Sequence, residues 1–186
     1  MMKRTMDIVI STIGLLLLSP FLAVVACIIW DYDWHSPFFL QERCGRGTSR
    51  FQIIKFRTMV NGNHRIKDYA QDGRVTSLGR SLRKYHIDEL PSLINVLKGD
   101  MSLVGPRPMP YEVDRELDPG YSNTYQIPGW RLRSKVRPGM TGLAQLRCEK
   151  MAPRQLKFYH DVIYVKRNNL WMDIKLIFYT IFGVEI

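Results

Sequence analysis

DELPSLINVLKGDMSLVGPRP, residues 88–108, decides how this chain of 186 residues reads. Asp88 and Glu89 open a run in which Leu90, Leu93, Ile94 and Leu97 recur at helical spacing, and Gly99 supplies a stop. Pro91 is compatible with a helix because it falls in the first turn. The run ends in Gly105-Pro106-Arg107-Pro108, one arginine held between two prolines. Acids at a helix start have an ordinary explanation, since capping and the macrodipole favour them there. The same place suits chemistry: unpaired N–H groups attract an anionic ligand, and adjacent carboxylates can share a Mg²⁺ ion.

Working outward, a second arginine sits in a stiff loop at Arg137-Pro138-Gly139, followed by Thr141-Gly142, small residues that let backbone approach a ligand. A preorganised guanidinium grips phosphate through a bidentate fork, which a flexible lysine does less well. Upstream, Pro37 to Met59 reads as a β-hairpin with a turn at Cys44-Gly45-Arg46-Gly47. Alternation on its second strand, Phe51 to Met59, puts Lys55 and Arg57 on one face. That face is either solvated or faces the same anion as Arg107 and Arg137.

The remaining chain fills in around these motifs. Residues 60–76 are polar and read as a loop, Ser77 as the cap of a helix over Leu78–Tyr85 with Arg80, Arg83 and Lys84 exposed. Residues 109–135 are irregular, and 153–167 and 170–182 read as closing helices. The last is rich in Trp, Tyr and Phe, which suits either core packing or a helix lying on a membrane.

Ile8 to Trp30 contains no charged residue, and Lys3, Arg4 and Asp7 precede it. A helix needs about 20 apolar residues to cross the ~30 Å hydrocarbon core. Pro20 lacks the N–H that would reach Leu16, so the helix is expected to break at Ser19-Pro20. Each half would then be only about 16 Å long, too short to cross alone. A re-entrant helix-break-helix over residues 1–30 is the favoured expectation, with a kinked span as the alternative. Lys3 and Arg4 mark the amino end as cytoplasmic. Val24-Val25-Ala26-Cys27 after a basic start offers a third option, an exported lipoprotein. The run continues apolar through Trp30, which argues against that.

Composition sets outer bounds. Lys and Arg number 27 against 17 Asp and Glu, a net charge of +10. That suits a polyanionic partner: anionic lipid, a phosphorylated substrate or nucleic acid. No RNP, helix-turn-helix or zinc signature supports nucleic acid. The three cysteines and four histidines are scattered without metal-ligand spacing.

Together, IDELPSLINVLKGDMSLVGPRP (87–108), IIKFRTM (53–59) and VRPGMTGLAQL (136–146) resemble the bacterial sugar transferases, the small monotopic phosphoglycosyl transferases. The likeness runs in order over nearly the whole chain, from the Ser-Pro pair to WMDIKL (171–176). It implies an α+β fold: a mostly helical small domain with a short β-hairpin and an N-terminal re-entrant membrane helix-break-helix, with residues 31–186 as a cytoplasmic catalytic domain. It implies a Mg²⁺-dependent phosphotransferase of the bacterial inner membrane. Such an enzyme moves a sugar 1-phosphate from a UDP-sugar to polyprenyl (undecaprenyl) phosphate, releases UMP and initiates glycoconjugate or exopolysaccharide assembly. By the resemblance, Asp88 is the nucleophile and a Mg²⁺ ligand, and Glu89 a base, a positioning group and a second ligand. Lys55, Arg57, Arg107 and Arg137 hold phosphate. Anionic inner-membrane lipids are the surrounding partner, nucleic acid is not one, and homodimerisation stays open. The rival reading is a basic, membrane-tethered nucleic-acid-binding or scaffold protein. His86 and Ser92 stand where the family usually has Ser or Thr and Gln.

Overall fold

A computed structural model describes residues 2–60, 75–111, 124–149, 152–184 and 186. Most of the loop expected at 60–76 and the centre of the irregular 109–135 stretch lie outside the described residues. Helices predominate, beside two small two-stranded sheets.

The apolar amino-terminal segment forms one helix, α1 (Met2–Asp33), that runs through Pro20 without interruption. The two separate helices expected from Ser19-Pro20 are not formed. The reason is local: Pro20 leaves the Leu16 carbonyl without its usual donor, and Ser19 Oγ donates to that oxygen at 2.9 Å. A serine hydroxyl replacing a missing amide is how proline is accommodated in apolar helices.

Nor is α1 an appendage. Arg4, Asp7, Ser11, Gly14, Leu22, Val25 and Ile29 form a stripe at spacings of three or four, apart from the longer step to Leu22, and all meet the domain or are buried. Near its amino end, Lys3 Nζ meets Asp173 Oδ2 at 2.6 Å, and Arg4 donates to the Val96 and Leu97 carbonyls. Buried Asp7 accepts from Ser102 Oγ and Leu103 N, both at 3.1 Å. Towards the other end, Val25 and Ile29 pack on Phe56 and Leu82, burial worth roughly 1.5–3 kcal/mol per side chain. The opposite faces expose Ile13, Leu16, Leu17, Val24 and Ile28. By length and composition α1 could cross a membrane.

The expected hairpin is present. β1 (Phe38–Cys44) pairs antiparallel with β2 (Arg50–Phe56), with Phe38 opposite Phe56. Helix α2 (Ser77–Lys84) follows, capped by Thr76 rather than Ser77: Thr76 Oγ1 accepts from Gly79 N at 2.8 Å. His86 then takes a left-handed conformation, φ 55°, which histidine tolerates better than most side chains. It turns the chain into a 3-10 segment, Ile87–Ser92, that continues as α3 (Leu93–Lys98) and ends at left-handed Gly99 as expected.

β3 (Ser102–Val104) pairs in parallel with β4 (Gly139–Thr141), flanking α4 (Trp130–Arg133) in the chain. A Cβ on Gly139 would lie 2.0 Å from Gly105 N, and one on Gly142 2.3 Å from Gly105 O. The glycines of GPRP and RPGMTG therefore let the two loops pack backbone to backbone. Helices α5 (Leu143–Arg147), α6 (Arg154–Arg167) and α7 (Leu170–Phe182) complete the chain. The main core joins Phe51 and Ile53 to Val96, Met101, Val104, Tyr164 and Leu176. Helix α7 packs Asp173 and Leu176 inward, while Trp171, Ile174, Phe178 and Ile181 stay exposed along one side.

Candidate active site

Two buried polar side chains set the register between β2 and the acidic pair. On the edge of β2 away from β1, Asn95 Oδ1 accepts from Ile54 N at 3.0 Å and its Nδ2 donates to Gln52 O at 2.8 Å. Ser92 Oγ donates to Ile54 O at 2.7 Å. These bonds satisfy a strand edge that would otherwise be unpaired in the interior, and they set Glu89 against Lys55. Asn95 did not stand out in the sequence, and Ser92 did so only as a departure from the family pattern, because a polar residue within a helical run usually faces water.

Lys55 shares its pleat face with Phe51 and Ile53, so it is largely buried rather than on a solvated face. Its Nζ donates to Glu89 Oε1 at 2.7 Å. Arg107 reaches the same carboxylate from the GPRP loop, with Nη2 2.5 Å from Oε1 and Nη1 3.4 Å from Oε2. Burial alone would push the Glu89 carboxyl up. The charges and hydrogen bonds of Arg107 and Lys55 outweigh it and hold the group down at about 2. Burial pushes the Lys55 ammonium down, with Glu89 opposing in part.

Asp88 differs from its neighbour. Its carboxylate makes no hydrogen bond or ion pair among the described residues, and neither acid caps the segment. Burial, then the Glu89 charge, pushes its carboxyl up, partly offset by Lys55, Arg83 and His86. Arg83, expected to be exposed, is half-buried with Nε bonded to Thr58 Oγ1 at 2.8 Å.

Lys55, Glu89 and Arg107, with Ser92, Arg43 and Met140, line a shallow cleft. Asp88 is not among the residues that line the cleft; it neighbours Glu89 in the chain, and the Lys55 charge acts on both acids. The other two expected phosphate-binding residues are placed elsewhere. Arg57 donates to the His35 carbonyl at 3.2 Å. Arg137 donates through Nε to Gly99 O at 2.7 Å and, with Arg4, covers the carbonyl end of α3. Cations are favoured there by the helix dipole, which gives Arg137 a local reason to exist.

The cleft holds a paired acid and two cations, and the uncommitted Asp88 carboxylate adjoins that acid in the chain, an arrangement suited to receiving a phosphate group. A model of the family described as "Bacterial sugar transferase" matches residues 1–185. The chain belongs to the bacterial sugar transferase family. Similar proteins include the UDP-N-acetylgalactosamine-undecaprenyl-phosphate N-acetylgalactosaminephosphotransferase of Aeromonas hydrophila. It is 40% identical over 96% of this chain and 42% of its own length. The UDP-glucose:undecaprenyl-phosphate glucose-1-phosphate transferase of Klebsiella pneumoniae is 36% identical over 97% of this chain and 39% of its own length. The chain thus spans about two fifths of these relatives. It covers 93% of a third, the exopolysaccharide production protein PSS of Rhizobium leguminosarum bv. phaseoli, at 36% identity.

Proposed function

We propose that this sugar transferase moves a sugar 1-phosphate from a UDP-sugar to a polyprenyl phosphate and releases UMP, through a covalent intermediate on Asp88. The carrying observation is the contrast within the acidic pair: Glu89 is neutralised by two cations, while Asp88 beside it is uncommitted. A diphosphate entering the cleft would share Lys55 and Arg107 with Glu89, which keeps them oriented while their remaining N–H groups place charge on the leaving group.

In the first step an Asp88 carboxylate oxygen bonds to the β-phosphorus. The bond from that phosphorus to the bridging oxygen breaks, and its electron pair leaves with UMP. In the second, an oxygen of the polyprenyl phosphate attacks the same phosphorus and the Asp88 carboxylate departs unchanged. Covalent catalysis divides one hard displacement into two, and charge placement supplies most of the stabilisation in phosphoryl transfer. A carboxyl held near pH 2 is a weak base, so Glu89 acts by orienting Lys55 and Arg107 rather than by taking a proton.

The residues present fit Mg²⁺ in one way. Both Glu89 oxygens already accept from cations, which leaves Asp88 as the acid able to meet the ion directly. Among the described residues no cluster of three His, Cys, Asp or Glu could hold a metal. A site of one carboxylate completed by substrate phosphates matches Mg²⁺ preference, and the ion there would neutralise diphosphate charge.

The membrane reading follows from α1. Its 32 residues span about 48 Å, and one domain holds it near both ends. Entry from one membrane face, with the apolar faces inserted and the domain at headgroup depth on the cytoplasmic side, satisfies those contacts. A helix crossing to the opposite side would break them. The nucleic-acid alternative loses ground because Lys3, Arg4, Lys55 and Arg133 are turned to internal partners.

The test is a nucleotide-sugar panel, with UMP release measured in the presence of undecaprenyl phosphate and Mg²⁺. Release beyond one equivalent of enzyme that depends on the lipid and on one UDP-sugar supports the reading. Absence of release across the panel sinks it.

A further inference from the structure

The interior holds a charged pair that the proposed reaction does not use. Arg133, on α4, and Asp161, on α6, are buried and joined at 2.9 Å between Nε and Oδ2. Arg133 lies over the Phe158 ring at 4.4 Å. A buried ion pair is seldom retained for stability, since apolar residues of similar volume often do as well or better. The second edge of the Arg133 guanidinium shows what it does: Nη2 donates to the main-chain oxygen of Arg107 at 2.6 Å.

The residues flanking Arg107 are held through their carbonyls. Gly139 N donates to Pro106 O at 2.9 Å, Arg43 Nη1 to Pro108 O at 3.1 Å, and Cys44 N to Met109 O at 2.8 Å. The Arg107 carbonyl itself takes its bond from Arg133. Only a planar fork can meet Asp161 through one edge and that carbonyl through another; a lysine presents a single point. The Arg107 side chain is half exposed and long, so its aim depends on where its backbone is fixed.

We propose that Arg133, oriented by Asp161, is a positioning residue for the nucleotide sugar. It fixes the main chain of Arg107 so that the Arg107 guanidinium meets the substrate diphosphate beside Lys55. This rests on the reaction proposed above and adds a role that acts through Arg107 rather than through substrate contact.

The experiment is a double-mutant cycle on the full chain in membrane mimetic, following UMP release with the UDP-sugar that the panel identifies. The first variant combines Arg133→Met with Asp161→Leu, so that no buried charge is orphaned. A merely structural pair would leave this variant folded and active, or would lower the active fraction and hence kcat alone. Positioning predicts a melting temperature near wild type and a KM for the nucleotide sugar raised on the order of 10-fold. In an Arg107→Ala background the same two substitutions change KM by no more than about 2-fold, because the residue they act through is gone. Should the double variant fail to fold, Arg133→Lys decides by the same readouts, since it keeps the charge and loses the fork. An unchanged KM, or an equal rise in the Arg107→Ala background, overturns the proposal. A wild-type chain that releases no UMP overturns the reaction itself, a separate result that removes this inference with it.

Discussion

Replacing Glu89 by Gln leaves shape and size nearly constant and removes the charge that holds Lys55 and Arg107 together. The carboxyl falls from an ordinary 4.5 to about 2 in the folded chain. At about 1.4 kcal/mol per pH unit that drop corresponds to roughly 3 kcal/mol, a ceiling for the charge's contribution. Glu89 and Lys55 are mostly buried, but the Arg107 side chain is 51% exposed, and solvent screening of that partner reduces the figure to about 1–2 kcal/mol. For a chain of this size the melting temperature should fall by about 2–8 °C at pH 7. The sign with pH follows from the direction of the shift. A carboxyl whose pKa is depressed by folding stabilises fully above its unfolded value and loses that contribution as pH falls through the folded value. The gap between wild type and Glu89→Gln should therefore be full at pH 7 and close between about pH 4.5 and 2. Melts of both proteins in the same detergent at stepped pH measure it. Equal melting temperatures at pH 7, or a gap that persists undiminished at pH 2, would refute the hub assigned to Glu89.

The pH–rate profile should have an acid limb above the ordinary aspartate range, because burial and Glu89 raise the Asp88 carboxyl that must ionise to attack. Glu89→Gln removes one of those causes and should shift the limb of its residual activity to lower pH; an unmoved limb would mean another group sets it. Gly139→Ala would drive a Cβ to 2.0 Å from Gly105 N, so a destabilisation of about 3 kcal/mol and loss of turnover are expected in melts and assays. Ser19→Ala should cost about 1 kcal/mol by orphaning the Leu16 carbonyl in an apolar setting. Adding Pro20→Ala should restore that stability, since the new amide can donate to the same oxygen.

Much of this architecture was legible in the residues because its signals are local. The Gly99 stop, the hairpin around Gly45-Arg46-Gly47, and the limits of α6 and α7 all depend on neighbours a few positions apart. The meeting of Lys55, Glu89 and Arg107 was legible through resemblance, since nothing within one segment says that positions 55, 89 and 107 share a cleft. Two kinds of feature escaped. Pro20 was read as a break because periodicity carries no information about Ser19 supplying the missing hydrogen bond. The carbonyl partners of Arg137 and Arg57 were not legible, because an arginine beside proline or on a strand face looks the same whether it meets substrate or carbonyl. Buried charges such as Asp173 with Lys3, or Asp161 with Arg133, pair across 170 and 28 positions. Each looks in isolation like an ordinary surface residue.

The central claim is that Asp88, left uncommitted beside a neutralised Glu89, becomes covalently bonded to a phosphosugar. Intact-protein and peptide mass spectrometry of the full chain, incubated with the UDP-sugar and Mg²⁺ but no lipid acceptor, tests it directly. The account predicts a mass gain of one sugar phosphate on the peptide containing Asp88. It should be absent from Asp88→Asn and discharged when undecaprenyl phosphate is added. UMP release without that adduct, or an adduct on any other residue, would contradict it.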